Sequence, residues 1–166
     1  NDPPQGNLSD VYRLRLGLPH VAVEDKLSVG TVMECCGIDV MPTHHQGPCA
    51  MGVDIGKTKH VLIGVRTGID RYELLKVIRV SAWTDIHDLA RRFGVKSSVI
   101  DIRPYEDEAR AFQKAEPYRT FLCEYSENTV LGTSYNENTG VVRVNRTEIF
   151  DTTHRMISSK SIVLPR

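Results

Sequence analysis

An α/β fold built on a mixed sheet, with helices on both faces and an added β-hairpin, is what this 166-residue sequence predicts. Two observations carry the expectation. Three apolar, β-branched runs lie close together, at Met51 to Ile55, His60 to Arg66 and Tyr72 to Val80, with only short turns between them. Such spacing reads as an antiparallel meander. After Val80 the pattern changes to helix, strand, helix, strand, which reads as parallel βα units.

Each element has its own local signal. Gly56 lies in the turn after the first strand, and Thr67-Gly68-Ile69-Asp70 makes the next turn. Thr84 can cap a helix running to Phe93, with Asp85 and Asp88 near its start, Arg91 and Arg92 near its end, and Gly94 as its stop. Val99 to Ile102 reads as the fourth strand. Pro104 suits the opening of a helix that carries Glu106, Asp107 and Glu108 in its first turn and ends at Pro117. Thr120 to Glu124 is a fifth strand. Thr129 to Tyr135 and Gly140 to Val144 flank Asn136-Glu137-Asn138-Thr139 as a hairpin. A last helix starts near Asn145 to Thr147 and runs to about Ser158. Residues 1–48 read differently, as a linker or extension. They open on the turn-rich Asn1 to Gly6, hold one short helix over Val11 to Leu18, and then run through Gly and Pro breakers to Pro48. A chain opening on Asn1 without Met is expected to be a fragment.

Composition narrows the classes. Acidic and basic residues balance at 21 each, so no large net field favours nucleic acid or a membrane. No apolar run has the length of a membrane span. Cys35, Cys36, Cys49 and Cys123 lack the pattern of a disulfide framework, so a reducing compartment is expected.

Three carboxylates stand out. Asp54 lies between Val53 and Ile55 in the first strand, and the reading expects it to be buried there. A buried ionised carboxylate must be neutralised, paired or metal-bound. Asp101 ends the fourth strand, and Asp151 falls in the first turns of the last helix. Neighbouring positions for the first and fourth strands would put Asp54 beside Asp101, and a helix crossing the sheet would bring Asp151 onto them. Clustered carboxylates repel unless protonated or bridged by cations, and hard divalent ions take oxygen ligands. Bland readings stand beside these: Asp101 as a cap on the turn into Pro104, and Asp151 as a solvated helix residue. Glu148, three residues before Asp151, is a weaker fourth ligand or, with Asn145, a capping box.

Taken in order, Met51-Gly52-Val53-Asp54-Ile55-Gly56, Val99-Ile100-Asp101 and Glu148-Ile149-Phe150-Asp151 resemble the acidic motifs of the nuclease domain of the large terminase subunit of tailed bacteriophages. Tyr12-Arg13-Leu14-Arg15-Leu16-Gly17-Leu18-Pro19 resembles the segment that joins the packaging ATPase to that nuclease. The late motif departs from many relatives at Glu148, where Asp or His is common. The resemblance implies a ribonuclease H-like domain over residues 49–166, of the integrase and resolvase superfamily. It makes residues 1–48 an extension from a missing N-terminal ATPase domain. It also implies an endonuclease that cuts concatemeric viral DNA during packaging, with two Mg²⁺ or Mn²⁺ ions held by Asp54, Asp101 and Asp151. Double-stranded DNA is the implied substrate, with portal and small terminase subunit as partners of the full-length protein, in the host-cell cytoplasm. The fragment itself is expected to be monomeric. Lys57, Lys59, Arg143 and Arg146 are candidate DNA contacts.

Two other classes compete. Asp54-Ile55-Gly56-Lys57-Thr58 is similar to the first-strand motif of sugar kinases and actin-like ATPases, although those need two domains and a second phosphate motif. Cys35, Cys36, His44, His45 and Cys49 are zinc-ligand types, but they lack the usual paired spacing. A Walker loop is excluded, because it needs four residues between its glycines and Gly52 and Gly56 are separated by three.

Overall fold

The computed structural model describes residues 27–126 and 132–166. The helix expected over 11–18, the Tyr12 to Pro19 segment and the start of the hairpin strand expected from Thr129 lie outside the described residues. Chain order is α1 (Val29–Met33), β1 (Cys49–Asp54), β2 (Lys59–Gly68), β3 (Arg71–Val80), α2 (Trp83–Arg92), β4 (Val95–Asp101), α3 (Glu106–Ala115), β5 (Arg119–Ser126), β6 (Thr133–Asn136), β7 (Val141–Asn145), α4 (Arg146–Ser158) and β8 (Ile162–Val163).

The eight strands form one mixed sheet in the order β6-β7-β5-β4-β1-β2-β3-β8. β1, β2 and β3 make the expected antiparallel meander, with Val53 opposite Val61 and Val61 opposite Ile78. β4 then pairs parallel to β1, β5 to β4 and β7 to β5. The β6–β7 hairpin closes one edge. At the other edge, β8 pairs parallel to the start of β3, a short strand the sequence reading does not anticipate.

Strand side chains alternate between faces, and this alternation divides the molecule. On one face Met51, Val53, Val61, Ile63, Ile100 and Leu122 pack against Ile86, Leu89 and Phe93 of α2 and Ala109 and Phe112 of α3. This is the main core; truncating the fully buried Ile100 or Leu122 to Ala would cost about 2–5 kcal/mol. On the second face Cys123, Val142 and Val144 make a smaller cluster with Phe121 and with Ile149 of α4. Helices therefore lie on both faces, as expected.

Caps refine the boundaries. Helix α2 begins one residue before Thr84, with Ala82 at its N-cap and no side-chain cap, and Asp85 Oδ2 accepts the Ala82 N–H at 3.4 Å. Helix α3 starts at Glu106, leaving Pro104 outside it. Helix α4 has Asn145 as its N-cap, accepting from the Glu148 N–H at 3.1 Å.

Residues 27–48, read from sequence as part of the extension, are tied to the sheet unit. The Gly37 N–H donates to the Leu164 carbonyl and the Leu164 N–H to the Cys35 carbonyl. The buried Cys35 thiol reaches the Ile157 carbonyl at 3.2 Å, and the His45 N–H donates to the Arg92 carbonyl. Among the described residues no helix is long and apolar enough to cross a membrane.

One junction has no room for a side chain. Gly94 ends α2 at φ +57°, a left-handed conformation that favours glycine, and its backbone crosses that of Gly47. A Cβ on Gly94 would stand 2.8 Å from the Gly47 nitrogen. Gly94→Ala is expected to lower stability by about 2 kcal/mol through left-handed strain and backbone overlap, read as a fall of several degrees in Tm. An unchanged Tm would show that this crossing is not needed.

Candidate functional site

The site lies on the second face, at the ends of β1, β4 and β5. Val53 pairs with Ile100 in the parallel β1–β4 register, so the residues that follow, Asp54 and Asp101, emerge side by side. Both point away from the main core, because their neighbours Val53 and Ile100 point into it. The Asp54 carboxylate and the Tyr125 hydroxyl are both close enough to Asp101 to affect its ionisation. Tyr125 belongs there because it follows Cys123, the β5 partner of Asp101, by two residues and shares its face.

Two further groups frame the pair. His60 is opposite Asp54 in the β1–β2 register, and its Nδ1 lies 3.4 Å from Asp54 Oδ2. The Arg146 guanidinium, in the first turn of α4, carries its positive field to Asp101. Partial burial is the main reason the Asp101 carboxyl is raised, to about 6, with the Asp54 charge and hydrogen bond adding to it; Tyr125 and Arg146 act in the opposite sense. The Tyr125 hydroxyl is itself pushed up to about 12, by burial first and by the Asp101 charge second.

The structure corrects several expectations. Asp54 is not buried, since its side chain is 68% exposed. The apolar neighbours Val53 and Ile55 face the core on alternate positions, and Asp54 takes the face between them, beyond the reach of α2 and α3. Asp151 is exposed and lines a separate depression of about 530 Å³ with Asn145, Thr147, Glu148 and Arg155, to which neither Asp54 nor Asp101 contributes. Among the described residues no group of three or more His, Cys, Asp or Glu side chains is arranged so that it could hold a metal ion. Of the three expected carboxylates, Asp54 and Asp101 are the two that the strand register brings side by side.

Glu148 is otherwise engaged, for its Oε2 accepts the Gly132 N–H at 2.8 Å. Only half of the expected capping box forms: Asn145 caps, while the Glu148 carboxylate holds the chain entering β6. Lys59 is buried, its Nζ donating to the Ser81 carbonyl at 3.1 Å and lying over the Trp83 ring. Arg143 is paired to Glu124 at 2.6 Å, on the face that carries α3. Neither cation is placed near the acid pair. Lys57 is exposed in the turn that follows Asp54, and Arg146 is at the site.

The zinc-type residues do not converge either. Cys49 Sγ and His45 Nδ1 approach to 3.5 Å, but the Cys35 and Cys36 thiols turn to backbone carbonyls. Burial raises the Cys49 thiol above its usual range, which disfavours the thiolate a zinc ligand needs.

Two neighbouring carboxylates, Asp101 half-buried and Asp54 exposed, form an oxygen-donor pair suited to a hard divalent cation. Burial first and the Asp54 charge second make Asp101 resist ionising, and a bound cation would oppose both effects. No family model, curated protein or solved structure matches the chain.

The raised Asp101 has a thermodynamic consequence for the cation-free protein. A carboxyl whose folded pKa exceeds its unfolded value adds stability below the unfolded value and loses it as pH rises through the folded one. The window here runs from about 4 to about 6. Asp54→Asn removes the opposing charge, so the Tm of the variant in chelator is expected to fall less than that of the parent between pH 4 and 7. Parallel Tm curves for the two proteins would show that the carboxylates are not coupled.

Proposed function

We propose that the chain is a divalent-cation-dependent DNA endonuclease with a ribonuclease H-like fold, the nuclease part of a phage large terminase subunit. The observation that carries this reading is the meeting of Asp54 and Asp101 on adjacent parallel strands. The strand order β3-β2-β1-β4-β5, antiparallel over the first three and parallel thereafter, supports the fold assignment. Packaging DNA as the substrate follows from the resemblance in sequence.

In this reading Asp54 and Asp101 hold the cation, on the open face where a DNA backbone can reach it. Mg²⁺ or Mn²⁺ bound there would polarise a phosphoryl oxygen and supply hydroxide at neutral pH. His60 orients Asp54 from one side. Tyr125 stands beside Asp101 and favours its ionised form. Arg146 offers a fixed positive charge next to the pair, where a phosphodiester would otherwise meet only negative groups. Lys57, exposed in the turn beyond β1, would touch a neighbouring phosphate. A second cation would require Asp151 to join the pair.

The test is plasmid nicking by the full 166-residue chain with Mg²⁺, with Mn²⁺ and with chelator. Cleavage is expected with either cation and none with chelator. Asp54→Asn and Asp101→Asn should each lose on the order of a hundredfold or more, with Tm retained at pH 7. Asp151→Asn is expected to be milder, since that side chain is outside the pair. Undiminished cutting by Asp54→Asn would overturn the proposal.

A further inference from the structure

Helix α4 places Arg146 and Phe150 one turn apart on one face. Ile149 meets the sheet cluster, while Phe150 is left 58% exposed. Tyr125 rises from β5 toward the same spot and is 46% exposed. The Arg146 guanidinium lies over both rings, its carbon 5.9 Å from the Tyr125 centroid and 5.6 Å from that of Phe150. Single exposed aromatics are ordinary. Two aromatics joined by one guanidinium are less so, and here one of the two also reaches the Asp101 carboxyl. Among the described residues no ion pair engages Arg146.

We infer that Tyr125, Arg146 and Phe150 form a stacking platform for one unpaired base of the nucleic acid, next to the phosphate held at Asp54 and Asp101. The inference rests on the nuclease reading and adds a substrate class: DNA that is single-stranded or locally opened at the point of cutting. The chemistry selects it. Base faces within a duplex are already stacked, so open aromatic faces gain a partner only when a nucleotide leaves the stack. A protein or lipid partner would use the apolar rings, but it gives no role to a guanidinium set between them beside two carboxylates. A nucleotide uses all three features: its base lies on the ring, its phosphate meets Arg146, and the adjoining phosphate approaches the acid pair. Phe150 and Tyr125 are thus positioning residues, acting through where they hold the strand.

The experiment uses the full chain with Ca²⁺ as a cation that supports binding without turnover. The probes are a single-stranded oligonucleotide carrying one 2-aminopurine and the same sequence as a duplex. The parent is expected to bind the single strand more tightly and to quench 2-aminopurine on binding. Phe150→Ala should lose about tenfold in single-strand affinity together with the quenching, and Phe150→Trp should restore both. Tyr125→Phe keeps the ring, loses the hydroxyl and should keep the quenching. Phe150 is largely exposed, so folding of its variants is expected and is verified by an unchanged Tm. Parent-like binding and quenching by Phe150→Ala would overturn the platform, as would duplex binding equal to single-strand binding without quenching. Either result leaves the nuclease reading to its own cleavage assay. Failure of the parent to bind either probe, together with no plasmid nicking, would overturn both.

Discussion

Two carboxylates held side by side at the ends of neighbouring parallel strands are the constraint on which the candidate site depends. The β1–β4 register puts Asp54 and Asp101 there, and the pleat turns both from the core. Their repulsion would unsettle a structure that relied on that face for stability. It does not, because Val53, Val61, Ile100 and Leu122 close the opposite face against α2 and α3. The core therefore tolerates the pair, and the raised Asp101 carboxyl reflects its partial burial first and the Asp54 charge second.

Helix α4 is the counterpart of that rigid core. None of its residues is buried. It is fastened at its ends, by the Asn145 cap and Ile149 at the start and by the Cys35 contact and the Lys160–Glu34 pair at the far end. Exposed ion pairs of this kind contribute little, so its packing energy per residue is far below that of α2. Asp151 rides on this helix, whereas Asp54 and Asp101 ride on central strands. How near the third carboxylate comes to the pair is thus set by the least firmly packed helix of the longer ones, and sequence spacing says nothing of that.

Much of the fold was legible because the sheet has a simple period. Alternating apolar residues marked β1 to β5, and Asp54 and Asp101 stood out against them. The same period, applied one step further, gives the faces of two candidate residues. Lys59 shares parity with Val61 and Ile63 and so turns inward, and Arg143 shares parity with Val141 and so takes the face opposite Val142 and Val144. Asp54 was misread as buried because both neighbours are apolar, although a strand flanks every outward residue with inward ones. His60 and Tyr125 reach the site through strand register, which is a long-range pairing with no local mark. Residues 29–33 and the two-residue β8 are too short for periodicity to declare them.

On the proposed reading, electrostatics sets the order of events. With 21 acidic and 21 basic residues, the chain has no general field to gather DNA. Locally it presents two carboxylates where the scissile phosphate must come, countered by Arg146 and by the nearby Lys57. A phosphate approaching the bare pair is repelled at short range, where screening by salt is weakest. Neutralising the pair is then a condition for binding as well as for cutting, so the two should share one dependence on divalent cation. An aromatic platform fits that logic, since stacking holds a strand without charge and does not weaken as the acid pair ionises.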